Sequence, residues 1–284
     1  MTGPRTHLLI IDPQNDFCDL PPAYCGMLPN GKTASPTLPV AGAHADMLRL
    51  ARLIDRAGTA LTDITITLDS HHHNDIAHPP FWIQGDGSPV QAFTQIRAED
   101  VRSGKYLPRQ LSAKNRVINY LDLLEANGRY IHMVWPVHCE IGAWGNNVHQ
   151  DVLSAYNRWE EKTSRNVTKI IKGTNPWTEH YSAIQAEVPS EEDASTLKNE
   201  VFIEHLKTAD LLYIAGEASS HCVKSTVEHL ANELDAKQTS KLVLLTDCMS
   251  PVAGFEKEAS VFIETMQRKG AKIRQSTDIA PEMG

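Results

Sequence analysis

The sequence predicts a three-layer α/β/α protein, in which helices cover both faces of a mostly parallel, six-stranded, Rossmann-like sheet. Short apolar runs rich in Ile, Leu and Val alternate along the chain with amphipathic stretches. The chain has 284 residues, of which 41% are hydrophobic, and this is enough for one large core. We therefore expect a single domain over residues 1–284.

The strand candidates are mostly four to seven residues long and are bounded by turn residues or charges. In chain order they cover 7–12, 63–69, 130–135, 167–172, 211–216 and 241–247, with a weaker candidate at 271–274. Alternation with helices favours parallel pairing of these strands.

The helix candidates occupy the stretches between the strands, at 43–57, 113–127, 146–163, 196–208, 222–236 and 255–269. In the first of them, Met47, Leu50 and Leu53 contribute to an apolar face at helical spacing. Two further segments, 18–42 and 79–112, are long for connections in a compact domain. We expect both to be inserted loops that act as lids or binding loops.

Composition narrows the range of partners and compartments. A net charge of −8 disfavours nucleic acid and anionic membranes as main partners. The first apolar run ends at Asp12, too early for a secretory signal, and no run approaches the roughly 18 apolar residues of a membrane span. Five scattered cysteines, an odd number, predict reduced thiols in a cytoplasmic protein.

Polar and reactive residues collect where the predicted strands end. In open α/β sheets, ligands bind outside the carboxyl ends of the strands. The residues found there are Asp12, Asp69, His71, Trp135, His138, Lys172 and the stretch 218–222. This edge of the sheet is the predicted functional site.

Cys222, in the stretch "GEASSHCVKST", lies at the predicted start of a helix. A helix N-terminus and a nearby cation lower the pKa of a thiol, and Lys172 would be that cation, with Asp12 as the general base. Backbone N–H groups of the turn would form an oxyanion hole. Buried packing remains the alternative for Cys222. His221 points about 100° away on a helix and is not obviously placed to help.

A metal site is a second hypothesis for the same edge. Asp69 and His71 are two residues apart and face the same side of a strand, and His138 in "WPVHC" offers a third ligand. Two imidazoles and one carboxylate suit a divalent ion such as Zn²⁺, Mn²⁺ or Fe²⁺. The competing ligands in the same run are His72, His73 and His78. An exposed loop is the alternative for this run, and Asp75 is interpreted as a cap or turn residue.

Two aromatic residues lie near these strand ends. Phe17 in "DPQNDF" and Trp135 in "VWP" are placed to sandwich a flat ring. Core packing is the alternative, and for a lone Phe it is favoured.

Taken together, the segments "LLIIDPQNDFC", "TLPVAGA", "LDSHH", "WPVHC", "IIKGTNP" and "IAGEASSHCVKST" resemble the isochorismatase-like cysteine hydrolases, and their nicotinamidase-like branch in particular. They occur in the order of the family and cover most of the chain outside the two inserted segments. The resemblance implies the isochorismatase-like fold. It also implies hydrolysis of a linear amide C–N bond, with nicotinamide converted to nicotinate and ammonia in NAD salvage.

The resemblance implies a role for each residue of the catalytic set. Asp12 would be the general base, Lys172 would stabilise charge and lower the thiol pKa, and Cys222 would attack the amide carbonyl to form a thioester. The peptide bond between Glu217 and Ala218 would be cis. The N–H groups of Ala218 and Cys222 would then bind the oxyanion.

The resemblance also implies one divalent metal ion, with Zn²⁺ favoured over Fe²⁺ or Mn²⁺. Asp69, His71 and His138 would hold the ion, which in the family meets the pyridine nitrogen. Phe17 and Trp135 would flank the ring.

The chain departs from the family pattern at several points around the pocket. The family's further His, six residues after the first, is replaced by Ala77, and His78 follows one position later, which leaves a fourth ligand open. The segments "EIGAWGNNVH" and "NPWTEHYSAIQAEVP" are also atypical. We expect the substrate to be a small-molecule amide, and the alternatives to nicotinamide are a different amide, a carbamoyl compound or another N-heterocycle. A non-catalytic scaffold and a homo-oligomer both stay open.

Overall fold

A parallel sheet forms the centre of the computed structural model, which describes residues 3–28 and 30–279. The strands in these residues are β1 (Thr6–Ile11), β2 (Asp63–Asp69), β3 (Trp82–Gln84), β4 (Thr94–Ile96), β5 (Tyr106–Pro108), β6 (His132–Val134), β7 (Thr168–Lys172), β8 (Leu211–Gly216), β9 (Leu242–Leu245) and β10 (Lys272–Arg274). Six of them form one all-parallel sheet in the order β10-β9-β8-β1-β2-β7. The predicted six-stranded parallel sheet is confirmed.

Helices cover both faces of this sheet. Those in the described residues are α1 (Ala43–Ala57), α2 (Ala98–Arg102), α3 (Lys114–Asn127), α4 (Gln150–Thr163), α5 (Glu200–Lys207), α6 (Cys222–Asn232), α7 (Ala236–Thr239) and α8 (Glu256–Arg268). Strand β1 illustrates the two-sided cover, since its residues 8–11 are fully buried on both faces of the sheet. Leu8 and Ile10 enter one apolar core, whereas Leu9 and Ile11 enter the other. The three-layer prediction is confirmed.

Two predicted helices have different bounds in the structure, and side chains that cap the helix ends explain the differences. Predicted helix 196–208 begins at Glu200, because the Asn199 side chain accepts a hydrogen bond from the Phe202 N–H. Predicted helix 222–236 ends at Asn232, and a new helix starts after Asp235, which caps α7. Helix α1 has the predicted bounds.

One predicted strand, 130–135, is not part of the central sheet. Only residues 132–134 are extended, as β6, and they pair antiparallel with β4 from the segment 79–112. The outer edge of β2 is already occupied by β7, so no position next to β2 remains for this strand.

The segment 79–112 contains its own secondary structure and packs on α3 around a separate apolar core. This core consists of Ile76, Phe81, Trp82, Val90, Ile96, Ala98, Val101, Val117, Tyr120, Leu121, Leu124 and Val134. The described part of the segment 18–42 has little regular secondary structure and includes a short 3₁₀ helix at Pro22–Tyr24. The segment 79–112, interpreted from sequence as a loop, is therefore a folded addition to the domain.

Two further findings concern the chain as a whole. All five cysteines carry free thiols. Across 3–28 and 30–279, no helix combines the length and apolar character needed to cross a membrane. The register of the sheet aligns Asp69 with Lys172, and Ile11 with Gly216, so the ends of four neighbouring strands meet at one edge.

We expect Leu121→Ala, which truncates a fully buried side chain of α3, to lower the free energy of unfolding by about 2–5 kcal/mol. The matched change Leu123→Ala, on the exposed side of the same helix, should stay within about 0.5 kcal/mol of the unchanged protein. Urea denaturation followed by circular dichroism measures both. Equal effects would contradict the packing of the segment 79–112 on α3.

Candidate active site

Lys172 is a buried cation at the centre of the strand-end crevice. Its Nζ lies 2.9 Å from Asp12 Oδ2, 2.9 Å from Asp69 Oδ1 and 3.6 Å from Cys222 Sγ. It also donates to the carbonyl oxygen of His180 at 3.1 Å. Burial alone would lower the pKa of Lys172, but Asp12 and Asp69 raise it well above its ordinary value. The ammonium group of Lys172 thus contacts residues that follow or end three other strands, namely Asp12, Asp69 and Cys222.

Asp12 is held in place by the neighbouring strand. It follows β1 in a left-handed conformation with φ of 44°. Its Oδ1 accepts a hydrogen bond of 2.5 Å from Thr67 Oγ1, and its own N–H donates to the same hydroxyl at 3.0 Å. Burial raises the pKa of Asp12, and Lys172 opposes that rise. A carboxyl of raised pKa within 4.8 Å of the Cys222 sulfur is suited to accept the thiol proton.

Cys222 is the first residue of α6 and is nearly inaccessible to solvent. Burial raises the pKa of its thiol well above the ordinary value, Lys172 acts in the opposite direction, and Asp12 and Asp69 raise it further. The expected lowering of this pKa is therefore not found. The sequence argument included the helix and the lysine but not burial between two carboxylates. A thiol in this environment needs a base before it can act as a nucleophile.

The turn before Cys222 presents backbone donors to the crevice. The Glu217–Ala218 peptide bond is cis. Gly216 has φ of 115°, and a Cβ on it would lie 2.0 Å from the Ile11 carbonyl oxygen, so only glycine fits there. Within the described part of the chain, the N–H groups of Ala218 and Cys222 donate to no protein acceptor. Both remain available to an oxyanion.

Three buried imidazoles form the candidate metal centre, and ring nitrogens of His71, His78 and His138 lie within 4.8 Å of one another. Their Nδ1 atoms contact, in that order, Asp75 Oδ2 at 3.1 Å, the His72 carbonyl oxygen at 3.1 Å and the Pro136 carbonyl oxygen at 2.8 Å. An Nδ1–H that donates to such an oxygen leaves the Nε2 lone pair for a metal ion. The Nε2 of His78 also accepts from the His138 backbone N–H at 3.4 Å, a hydrogen bond that an ion on this nitrogen would replace. These residues fit a divalent cation.

Asp69 completes this centre and connects it to Lys172. Its Oδ2 lies 3.1 Å from His71 Nε2 and 3.4 Å from His138 Nε2, as expected for ligands around an ion with bonds of about 2.0–2.2 Å. Burial would raise the pKa of Asp69, but His71 and Lys172 hold it well below its ordinary range. Burial would lower the pKa of His71, but Asp69 and Asp75 raise it well above its ordinary value. A bound divalent ion would replace that proton.

The structure brings the predicted ligands Asp69, His71 and His138 together and adds His78 to them. Burial, together with His138 and His71, lowers the pKa of His78 to about 2, which keeps this imidazole neutral. The other two members of the His run, His72 and His73, are exposed. The fourth candidate ligand could not be chosen from spacing alone, because the turn at 72–77 decides which histidine ring points inward.

Asp75 has a larger role than the predicted cap or turn. Its Oδ1 does accept from the Ala77 N–H at 3.0 Å, while its Oδ2 contacts His71 Nδ1. A carboxylate behind a ligating imidazole fixes the tautomer and the ring orientation. The position of Asp75, four residues after the candidate ligand His71, is the feature of the sequence that could have indicated this contact.

The two predicted ring-flanking aromatics lie in the same apolar cluster as Cys222. The ring centroid of Phe17 is 5.4 Å from that of His138. Trp135 donates its Nε1–H to the Tyr181 hydroxyl at 3.0 Å, and its ring centroid lies 5.2 Å from that of His221. Burial lowers the pKa of His221 to about 3, and its ring contacts aromatic groups and Ser220, a structural rather than basic role.

The motif "DPQNDF" organises the crevice beyond supplying Asp12. The side chain of Gln14 makes both hydrogen bonds to the backbone of Asp69, from Nε2 to the carbonyl at 2.7 Å and to Oε1 from the N–H at 2.8 Å. Asp16 accepts from the Cys139 N–H at 2.7 Å. Gly173 has φ of 84°, and a Cβ on it would lie 2.8 Å from Asp69 Oδ1. These contacts position Asp69 and the chain beside His138.

Solved nicotinamidase and pyrazinamidase structures share this fold. The yeast nicotinamidase has a TM-score of 0.60 and 18% identity, over 94% of this chain and 98% of that one. The Acinetobacter baumanii nicotinamidase/pyrazinamidase has 0.59 and 20%, over 98% and 99%. The Pyrococcus horikoshii pyrazinamidase in complex with zinc has 0.50 and 18%, over 96% and 99%.

The sequence comparisons give no match: neither a protein-family model nor a curated protein sequence matches the chain. The structural similarities extend over nearly the whole chain at 18–20% identity. They establish that the chain has the three-layer fold that the sequence resemblance implied.

We expect the purified protein to bind one equivalent of Zn²⁺ at this centre, and His71→Ala to lose that binding. His73→Ala, a change in the exposed part of the same run, should leave binding intact. Asp75→Asn should weaken affinity by about 10–100-fold, since His71 loses its charged partner. Competition with a chromogenic chelator measures all three. Equal affinities of the His71→Ala and His73→Ala variants would contradict this assignment.

Proposed function

We propose that this protein is a cysteine-dependent amidohydrolase that converts nicotinamide and water to nicotinate and ammonia. The observation that carries the proposal is the contact of Lys172 Nζ with Asp12, Asp69 and Cys222. A base, a cation and a thiol in one buried crevice are what nucleophilic cleavage of an amide needs. The fold similarity to solved nicotinamidases adds support.

In the acylation step, Asp12 takes the proton of Cys222, and the sulfur attacks the carboxamide carbon. The negative charge that develops on the carbonyl oxygen accepts hydrogen bonds from the N–H groups of Ala218 and Cys222. The ammonium group of Lys172, 3.6 Å from the sulfur, offsets the negative charge of the thiolate. Asp12 then returns the proton to the amide nitrogen, the C–N bond breaks, ammonia leaves, and a thioester to Cys222 remains.

In the deacylation step, a water molecule occupies the place vacated by ammonia. Asp12 takes one of its protons as the oxygen attacks the thioester carbon. The same two N–H groups hold the second oxyanion, and the C–S bond breaks. The proton returns from Asp12 to the sulfur of Cys222, and the product carboxyl releases the second proton of the water to solvent as nicotinate departs, which restores the starting state.

Asp69, His71, His78 and His138 would hold the divalent ion, with Zn²⁺ favoured and Fe²⁺ or Mn²⁺ as alternatives. The ion would supply a Lewis acid for the lone pair of the pyridine nitrogen. Phe17 and Trp135 would flank the ring, since both border the apolar cluster around Cys222. A pyrazinamidase of this fold has been solved with zinc, which supports the choice of metal.

The alternative is the same reaction on a larger amide, carbamoyl compound or N-heterocycle. A cavity of about 510 Å³ is lined in part by Tyr181 and by His221, the residue before Cys222. Its other walls include Arg129, Tyr130 and Lys224. This volume is within the range of about 300–1,000 Å³ that small-molecule sites occupy.

We expect the Zn²⁺-loaded protein to release ammonia from nicotinamide, and Cys222→Ala to lose at least about 10³-fold in kcat because no thioester can form. Cys25→Ala, a change of a thiol outside the crevice, should retain full activity. A coupled ammonia assay measures both, with a panel of larger amides alongside. Release from the panel but not from nicotinamide would favour the alternative substrate. Full activity of Cys222→Ala would contradict the mechanism.

A further inference from the structure

Glu217 is a fully buried acid in the turn that carries the proposed oxyanion donors. Its Oε2 accepts a hydrogen bond of 3.0 Å from the Ser250 N–H. Its Oε1 has no donor among the described residues. Ser250 also contacts a second buried carboxyl, that of Asp46 on α1, whose charge acts on Glu217.

The two carboxyl groups have unequal surroundings. Asp46 accepts from Ser250 Oγ at 2.6 Å and is paired with Arg49. Among residues 3–28 and 30–279, no cation pairs with Glu217. In the same ranges, the other titratable groups that act on Glu217 or Asp46, or are acted on by them, are Asp19 and the thiols of Cys18 and Cys248. Two interacting buried carboxyls do not both ionise, so one holds a proton. The pairing with Arg49 favours Asp46 as the carboxylate and leaves Glu217 as the group that would hold the proton.

We propose that Glu217 is a positioning residue, which as a neutral carboxylic acid donates its proton to Asp46 and thereby fixes the turn 216–222. This inference rests on the proposed function. Ser250 connects the two carboxyl groups to the turn. It bonds to both carboxyls, and its carbonyl oxygen accepts a hydrogen bond from the Ser219 N–H at 2.9 Å. The Val252 N–H donates to Ser220 Oγ at 3.1 Å. The turn with Ala218 is thus held against the chain that follows β9.

The neutral state distinguishes this role from that of an ordinary buried anion. Burial and Asp46 raise the pKa of Glu217 well above its ordinary value. Glutamine reproduces the neutral acid: its amide N–H donates to Asp46, and its carbonyl oxygen accepts from Ser250. Leucine keeps a similar volume and loses both hydrogen bonds.

The activity test compares Glu217→Gln with Glu217→Leu on nicotinamide. We expect Leu to lower kcat by about 10²-fold with little change in KM, since the oxyanion donors are displaced, and Gln to recover most of that loss. Glu187→Gln is the matched control, a change in a buried acid that is paired with Arg129 and not with the turn 216–222. Equal losses in Gln and Leu would overturn the neutral state, and full activity of Leu would overturn the positioning role.

A stability test is independent of activity. A carboxyl whose pKa is raised by folding releases its proton on unfolding, so stability falls as pH rises from the unfolded value of about 4.3 through the folded pKa. In the Glu217→Gln variant, unfolding should release one proton fewer than in the unchanged protein. The number of protons released is obtained from the pH dependence of the free energy of unfolding, measured by urea denaturation between pH 5 and pH 8. An unchanged proton count would overturn the inference. If the protein cleaves no amide but the count drops by one, the proposed function fails and the carboxyl pair stands.

Discussion

The ammonium group of Lys172 is the interaction on which the rest of the crevice depends. It is buried with two carboxylates and a thiol, and removal of one partner from such a group costs about 3–5 kcal/mol because charge is left uncompensated. The fold provides the neighbours, since β1, β2 and β7 lie side by side and end at the same edge. Parallel strands thus place Asp12, Asp69 and Lys172 within hydrogen-bond distance although they are far apart in the chain.

Asp69 connects the two halves of the candidate site. Its Oδ1 contacts the ammonium group of Lys172, and its Oδ2 contacts the imidazoles of His71 and His138. The carboxylate of Asp69 therefore interacts both with the ammonium group beside Cys222 and with the imidazoles of the candidate metal centre. A cation bound at the candidate metal centre would share this anion with the ammonium group, and its binding would then be coupled to the ionisation of Cys222.

Strand ends were predictable from the sequence because apolar runs and their terminating polar residues are local features. The central sheet and the residues Asp12, Asp69, Lys172 and Cys222 at its edge follow from that pattern. The segment 130–135 was misassigned because its pairing partner depends on a distant segment.

Other features depend on tertiary packing and could not be predicted from spacing. The entry of His78 into the imidazole cluster and the contact of Asp75 with His71 require the fold of the turn between them. The raised pKa of the Cys222 thiol and the interaction of Glu217 with Asp46 depend on burial, which only the folded chain defines. The resemblance to a family identified positions but not these environments.

Intact-protein and peptide mass spectrometry of the rapidly quenched reaction tests the central claim most directly. If Cys222 in the Lys172 crevice is the nucleophile, a nicotinoyl group should appear on the peptide that contains Cys222 and disappear as nicotinate forms. An acyl group on another residue, or nicotinate formed at full rate with no acylated enzyme at any quench time, would contradict the account.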